Sequence, residues 1–191
     1  APLNELIGRF PEAILGPKLI NRGVTTLPFL LKVLDCERAL SIQAHPDRPR
    51  AAALHAQDPQ HYPDPNHKPE IAISLAGMDA FCQFRPHQHI QEDIRRLLPL
   101  TRFFAPIPNP PANQPAGWLR KAYAHVFNAP QGLVDDSLRA LKAELEGGKH
   151  PRPQDKWFLE VAAVNPGDRG ALSAYFLNVE HIAPGEAIFL G

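Results

Sequence analysis

Two polar segments constrain this chain of 191 residues more than any other feature. The first is SIQAHP (residues 41–46), and the second is YPDPNHKPE (residues 62–70). In a strand, alternate side chains share one face, so Ser41, Gln43 and His45 are predicted to point the same way. Two side chains on one rigid strand face can both reach a single ion, because the element holds them at a fixed spacing.

The donor types in these segments suit a divalent metal ion. Gln43 offers an amide oxygen, His45 an imidazole nitrogen, and Glu70 a carboxylate from a neighbouring strand. This nitrogen and oxygen set is compatible with Zn²⁺, and the same ligand types also accept Mn²⁺ or Fe²⁺. Taken alone, however, a QxH spacing more often marks a polar strand face, and a glutamate at a strand start is usually solvated.

The two segments together resemble the signature of the type I mannose-6-phosphate isomerases, which are metal-dependent, cupin-type sugar phosphate isomerases. The family pattern YxDxNHKPE occurs at residues 62–70 without a departure, and PGEAIFL at residues 184–190 is similar to a hairpin of the family. The resemblance implies interconversion of mannose 6-phosphate and fructose 6-phosphate. In such an aldose–ketose isomerisation a metal stabilises developing negative charge while a general base moves a proton.

The same resemblance assigns roles to individual residues. It implies that Gln43, His45 and Glu70 bind one Zn²⁺, and that Ser41 and Lys68 line the pocket for the hexose phosphate. The family's fourth ligand, a histidine, and its catalytic arginine are expected after the last residue of this sequence. The chain is therefore interpreted as an incomplete catalytic unit whose catalytic residues and general base are unidentified.

The predicted elements follow the order strands, helices, strands. The resemblance implies a mainly β chain, a partial cupin-type jelly-roll β-sandwich, and a helical insertion explains the order better than alternating β-α-β units. The predicted division is residues 1–86 for the first part of the cupin catalytic domain, 87–153 for the helical insertion, and 154–191 for a return to the cupin domain, apparently truncated.

Apolar patterns locate the elements. Predicted strands lie at residues 27–34, 39–45, 70–76, 175–182 and 186–190. Predicted helices lie at residues 48–58, 90–98, 133–145 and 157–164. The last two strands are expected to form a hairpin through a turn at residues 183–185, and Ile71, Ile73 and Leu75 are expected to pack into a core. The proline cluster at residues 106–115 is predicted to be a loop.

Composition argues against several kinds of partner. Lys plus Arg number 20 and Asp plus Glu number 20, which gives no electrostatic reason to expect nucleic acid or an anionic membrane. No stretch approaches the roughly 20 apolar residues of a membrane span. Cys36 and Cys82 are too few for a disulfide framework and, since both lie among apolar residues, are interpreted as buried structural thiols in a reducing compartment rather than catalytic thiols. The chain is therefore expected to be cytoplasmic, and a monomer.

Two other function classes compete with the isomerase. A non-catalytic cupin-type sugar-binding or regulatory module would keep the scaffold without turnover. A cupin oxygenase would hold iron with histidines and a carboxylate, but the HKPE segment and the position of Gln43 argue against it. Of the nine histidines, His67 is the one that the motif places near Glu70, and a role in orienting a ligand is one interpretation of it.

Overall fold

The computed structural model describes residues 1–108, 115–148 and 152–190. The chain divides into two compact units, Ala1–Glu37 and Arg38–Gly191. In the ranges just given, no helix combines the length and the apolar character needed to span a bilayer. Most of the predicted proline loop falls at residues 109–114, outside the described residues.

The first unit begins with three short helices. These are α1 (Leu3–Arg9), α2 (Pro11–Leu15) and α3 (Pro17–Ile20). Proline at the first turn favours the starts of α2 and α3, because its fixed φ suits a helix and its missing N–H is not needed there. Gly16 lies between them with φ +76°, a conformation that glycine adopts without steric cost.

The predicted strand at residues 27–34 is wrong. This segment has no regular secondary structure, and its apolar side chains are exposed, Leu30 by 77%, Leu31 by 82% and Val33 by 83%. A strand is stabilised by hydrogen bonds to a neighbouring strand, and among the described residues none pairs with this segment. The segment is apolar, as its sequence shows, but the described residues include no strand that pairs with it.

The second unit contains most of the regular structure. Its elements are α4 (Arg48–Gln57), β1 (Glu70–Ile73), β2 (Met78–Phe84), α5 (His87–Arg96), α6 (Leu98–Phe103), α7 (Pro115–Asn128), α8 (Gln131–Glu146), α9 (Pro153–Val164), a 3-10 helix (Arg169–Tyr175), β3 (Leu177–Ile182) and β4 (Ala187–Leu190). The predicted helices are confirmed. Because helix accounts for about 50% of the chain and strand for about 12%, the mainly β class is not confirmed.

The four strands form one bent antiparallel ribbon rather than the predicted hairpin. β1 pairs with β4 and β2 pairs with β3, so the expected pairing of β3 with β4 is wrong. Between the two pairs, Ser74 N donates to Glu186 O at 2.9 Å and Gly185 N donates to Ser74 O at 2.8 Å. Gly77, between β1 and β2, and Gly185, between β3 and β4, have φ of +96° and +85°. Both connecting segments can therefore bend between the two strand pairs.

In the second unit, one further strand prediction and one packing prediction fail. Residues 39–45 have no regular secondary structure, so Ser41, Gln43 and His45 do not share a strand face. In β1 the strand itself is confirmed, but Ile71 and Ile73 are 60% and 59% exposed rather than packed into a core. A two-stranded ribbon has no second layer of its own, so one of its faces stays open to solvent.

The core of the second unit lies among the helices that separate β2 from β3. It is built from buried apolar side chains of α5 to α9 and the 3-10 helix, including Phe103, Leu141, Phe158 and Phe176. In α8 the predicted positions Ser137, Leu138, Leu141 and Leu145 are buried at helical spacing, whereas the predicted Leu133 is exposed and its neighbour Val134 is buried instead.

A buried ionic cluster joins this core to the strands. Asp93 in α5 and Asp155 in α9 are both 0% exposed. Arg96 donates to Asp93 at 3.1 Å and to Asp155 at 2.7 Å, and Arg85, just after β2, donates to Asp93 at 2.9 Å. The Tyr175 hydroxyl donates to Asp155 at 3.0 Å, and burial raises its pKa. Every buried carboxylate here therefore has a charged or hydroxyl donor, as burial requires.

Candidate metal and substrate site

An imidazole and a carboxylate meet near the starts of α4 and β1. His45 Nε2 lies 3.0 Å from Glu70 Oε2, and the two side chains are 22% and 54% exposed. Glu70 is the first residue of β1, and His45 lies two residues before Asp47, the N-cap of α4. Asp47 Oδ1 accepts a hydrogen bond from Arg50 N at 2.8 Å, which fixes the direction of the chain after His45.

The separation between these two atoms suits two ligands of one ion. Zn²⁺ binds histidine nitrogen and carboxylate oxygen at about 2.0–2.2 Å, so neighbouring ligands of a tetrahedral ion lie roughly 3.3 Å apart. The nitrogen and oxygen at 3.0 Å are near that spacing before any ion is considered. Without an ion, the two atoms form a close polar contact, which is an ion pair when the imidazole is protonated.

The described part of the chain holds no group of three or more His, Cys, Asp or Glu side chains that converge as a metal site. A third ligand from these residues must therefore be of another type, and an amide oxygen is one. Gln43 has that group and lies two residues before His45. It is exposed, and within the described ranges it makes no hydrogen bond with His45 or Glu70. The structure thus brings together two of the three predicted ligands.

The two predicted substrate residues lie in different surroundings. Lys68 is exposed, two residues before Glu70. Ser41 lines a cavity of about 140 Å³ whose walls include Phe81, Val161 and Ser173. That cavity is largely apolar, so a sugar hydroxyl or phosphate would meet polar groups only at a few points of its lining.

The loop between α4 and β1 is ordered by side chains of α4, which the sequence reading missed. Arg48 Nη2 lies 3.1 Å from His67 Nε2, and His55 Nδ1 donates to the Tyr62 carbonyl oxygen at 2.6 Å. No pattern in the sequence distinguishes Arg48 from the other surface arginines. Its place three residues after His45, at the first position of a helix, is the one feature that could have drawn attention to it.

A tight turn within the loop fixes the backbone before His67. Asp64 Oδ1 accepts a hydrogen bond from Asn66 N at 2.9 Å. This hydrogen bond from the Asn66 backbone lowers the pKa of the Asp64 carboxyl, with smaller contributions from the Asn66 side chain and the charge of Lys68. The turn therefore favours an ionised Asp64 and presents the HKPE segment in one direction.

Comparison with known proteins identifies the family of the chain. The family model "Phosphomannose isomerase type I, catalytic domain" matches residues 2–87, which include every residue of the site. Mannose-6-phosphate isomerase of Mus musculus is 34% identical over 201 residues, an alignment that covers 98% of this chain and 47% of that protein. The chain belongs to the type I phosphomannose isomerase family.

Other phosphomannose isomerases extend the comparison. The Saccharomyces cerevisiae mannose-6-phosphate isomerase is 48% identical over 97 residues, which cover 50% of this chain and 23% of that protein. A crystal structure of the Salmonella typhimurium enzyme, described as bound to fructose 6-phosphate and zinc, superimposes with a TM-score of 0.79 and 30% identity. It covers 100% of this chain and 50% of the Salmonella chain. The chain thus spans about half the length of the Mus musculus and Salmonella typhimurium relatives it matches.

Proposed function

We propose that the protein carrying this chain is a Zn²⁺-dependent aldose–ketose isomerase that interconverts mannose 6-phosphate and fructose 6-phosphate. The observation that carries the proposal is the contact of 3.0 Å between His45 Nε2 and Glu70 Oε2, made by two residues of the family motif. Membership of the family supports the same chemistry, since the Mus musculus relative is named a mannose-6-phosphate isomerase. The Salmonella structure is described as holding fructose 6-phosphate and zinc.

The residues of the chain take the following roles in this proposal. Gln43, His45 and Glu70 hold the ion through an amide oxygen, an imidazole nitrogen and a carboxylate. When bound, Zn²⁺ supplies positive charge where negative charge develops on the substrate oxygens. Lys68 presents an ammonium group to a sugar hydroxyl or to the phosphate. Ser41 contributes a hydroxyl to the pocket for the hexose phosphate.

The proposed architecture is a partial cupin-type jelly roll interrupted by helices. Residues 1–86 and 154–191 belong to the cupin domain and residues 87–153 to the insertion. The pairing of β2 with β3 supports an insertion between these two strands, because they are neighbours, whereas the end of the insertion at residue 153 rests on the sequence alone. A segment that leaves and returns at neighbouring strands can be inserted without disturbing the sheet.

The protein is proposed to act in the cytoplasm on a small-molecule substrate, as a monomer. Cys36 and Cys82 are both free, which suits a reducing compartment. Size-exclusion chromatography with light scattering measures the oligomeric state directly, and a mass of twice the monomer would contradict that part of the proposal.

The function is tested on the complete gene product with His45→Ala and a matched control, His61→Ala. His61 is an exposed loop histidine that contacts Asp58 rather than the site. His45→Ala is expected to lose bound zinc and mannose 6-phosphate turnover together, whereas His61→Ala keeps both. Removing the metal with a chelator should abolish turnover, and adding Zn²⁺ should restore it. Full turnover of the stripped protein would contradict the proposal, and zinc binding without turnover would favour a non-catalytic module.

A further inference from the structure

Side chains before and within α4 contact the loop that follows it in a nested order. His45 contacts Glu70, Arg48 contacts His67, and His55 contacts the Tyr62 carbonyl. Residues later in the first segment contact residues earlier in the second, which is the order of contacts between the two arms of a hairpin. The outermost of these contacts is the proposed ligand pair, and the next one inward is Arg48 with His67.

The contact with Arg48 determines the protonation pattern of His67. A guanidinium group carries only donors, so Arg48 must donate and His67 Nε2 must accept. An imidazole whose Nε2 accepts is neutral and carries its proton on Nδ1. Arg48 therefore selects one of the two tautomers of His67, in addition to holding the ring at 3.1 Å.

Arg48 has a defined position for its contact with His67 because it lies at the start of α4. Asp47 caps the helix by accepting from Arg50 N at 2.8 Å, and Arg48 is the first helical residue. On the other side, the turn at Asp64 fixes the backbone just before His67. With both ends of the contact anchored, the segment from His67 to Glu70 has little freedom to move away from His45.

From this geometry we propose that Arg48 is a positioning residue, which holds the segment bearing Lys68 and Glu70 against His45 through the Nδ1–H tautomer of His67. The expected effect of Arg48 on metal affinity rests on the proposed function, whereas its expected effect on the tautomer of His67 does not. Loss of a group that orients a metal ligand typically weakens metal affinity 10- to 100-fold. Since Arg48 acts one residue further from the ion, the lower end, about 10-fold, is expected.

The test uses the ¹⁵N-labelled complete gene product and its Arg48→Met, Arg48→Lys and Arg50→Met variants. Two-bond ¹H–¹⁵N correlation spectra distinguish the imidazole tautomers, and His67→Gln identifies the His67 signals by their loss. His67 should show a protonated Nδ1 in the unaltered chain and in Arg48→Lys, which still offers a donor. Arg48→Met should populate the Nε2–H tautomer, and Arg50→Met, an exposed neighbour on the same helix, should leave the signals unchanged.

Calorimetric titration with ZnCl₂ on the same four proteins gives the second readout. Arg48→Met is expected to bind Zn²⁺ about 10-fold more weakly than the unaltered chain, and Arg48→Lys should recover most of that loss. An unchanged His67 tautomer in Arg48→Met would overturn the inference. If the tautomer shifts as expected but no protein in the series binds Zn²⁺, the proposed function fails while the positioning of His67 by Arg48 stands.

Discussion

The helical core of the second unit and the segment at residues 27–34 contain the same kinds of apolar side chain, but the core buries them and the segment exposes them. Phe103 and Phe158 are 0% exposed, whereas Phe29 is 62% and Leu31 is 82% exposed. Hydrophobicity favours burial only where another surface is present to cover the side chain. The difference therefore lies in the partners that each region has, not in its composition.

The backbone explains why one region is regular and the other is not. A helix satisfies its N–H and C=O groups within its own segment, so α8 needs only packing to be stable. A strand must find those partners in another segment. β2 finds them in β3, whereas the described residues supply no such neighbour to residues 27–34.

The largest expected contrast comes from truncating one phenylalanine in each region. Phe158→Ala removes a fully buried ring and is expected to lower the free energy of unfolding by about 4 kcal/mol. Phe29→Ala should change it by less than about 0.5 kcal/mol, because the ring is already largely solvated. Urea unfolding followed by circular dichroism measures both. Equal losses for the two variants would break the comparison.

Within the second unit, the buried ionic cluster can be compared with an exposed ion pair. Asp93→Ala leaves Arg85 and Arg152 without their buried carboxylate and Arg96 with Asp155 alone, and about 3 kcal/mol of destabilisation is expected. This is the lower end for a broken buried pair, since Arg96 and Arg152 are partly exposed. The matched control is Asp136→Ala, which removes an exposed pair and should cost about 0–1 kcal/mol in the same urea experiment. A loss for Asp93→Ala no larger than the control would show that the cluster contributes no stability.

The two cysteines give the smallest contrast, measured as a rate. Burial, with the nearby Glu180 charge, raises the pKa of the Cys82 thiol, so less of the reactive thiolate is present at neutral pH. Cys36 is exposed. In the single-cysteine variants, a disulfide reagent such as DTNB is expected to modify Cys36 roughly 10-fold faster than Cys82 at pH 7. The Cys82 rate should still be rising with pH above 8.5, and comparable rates at pH 7 would contradict this view of the two environments.

Sequence reasoning succeeded where the signal was local. The helical spacing of Leu138, Leu141 and Leu145 predicted α8, and the alternation after Glu70 predicted β1. The expected hairpin of β3 with β4 failed, because the bend at Gly185 turns the ribbon without reversing the chain. Strand partners are long-range choices that a local pattern does not encode.

The site shows the same contrast between what a local pattern predicts and what depends on long-range contacts. The motif predicted that His45 and Glu70 belong together, and their atoms do meet. Placing Gln43 beside them depended on a strand at residues 39–45, and that strand is not formed. The contact of Arg48 with His67 depends on how α4 lies along the loop, which no spacing in the sequence specifies.

The most direct measurement of the central claim is anomalous diffraction at the zinc absorption edge from crystals grown with Zn²⁺. One anomalous peak is expected within about 2.0–2.2 Å of His45 Nε2 and a Glu70 carboxylate oxygen, with the Gln43 amide oxygen completing the contact from this chain. A fully occupied zinc elsewhere, with His45 and Glu70 still in direct contact and no ion between them, would contradict the account.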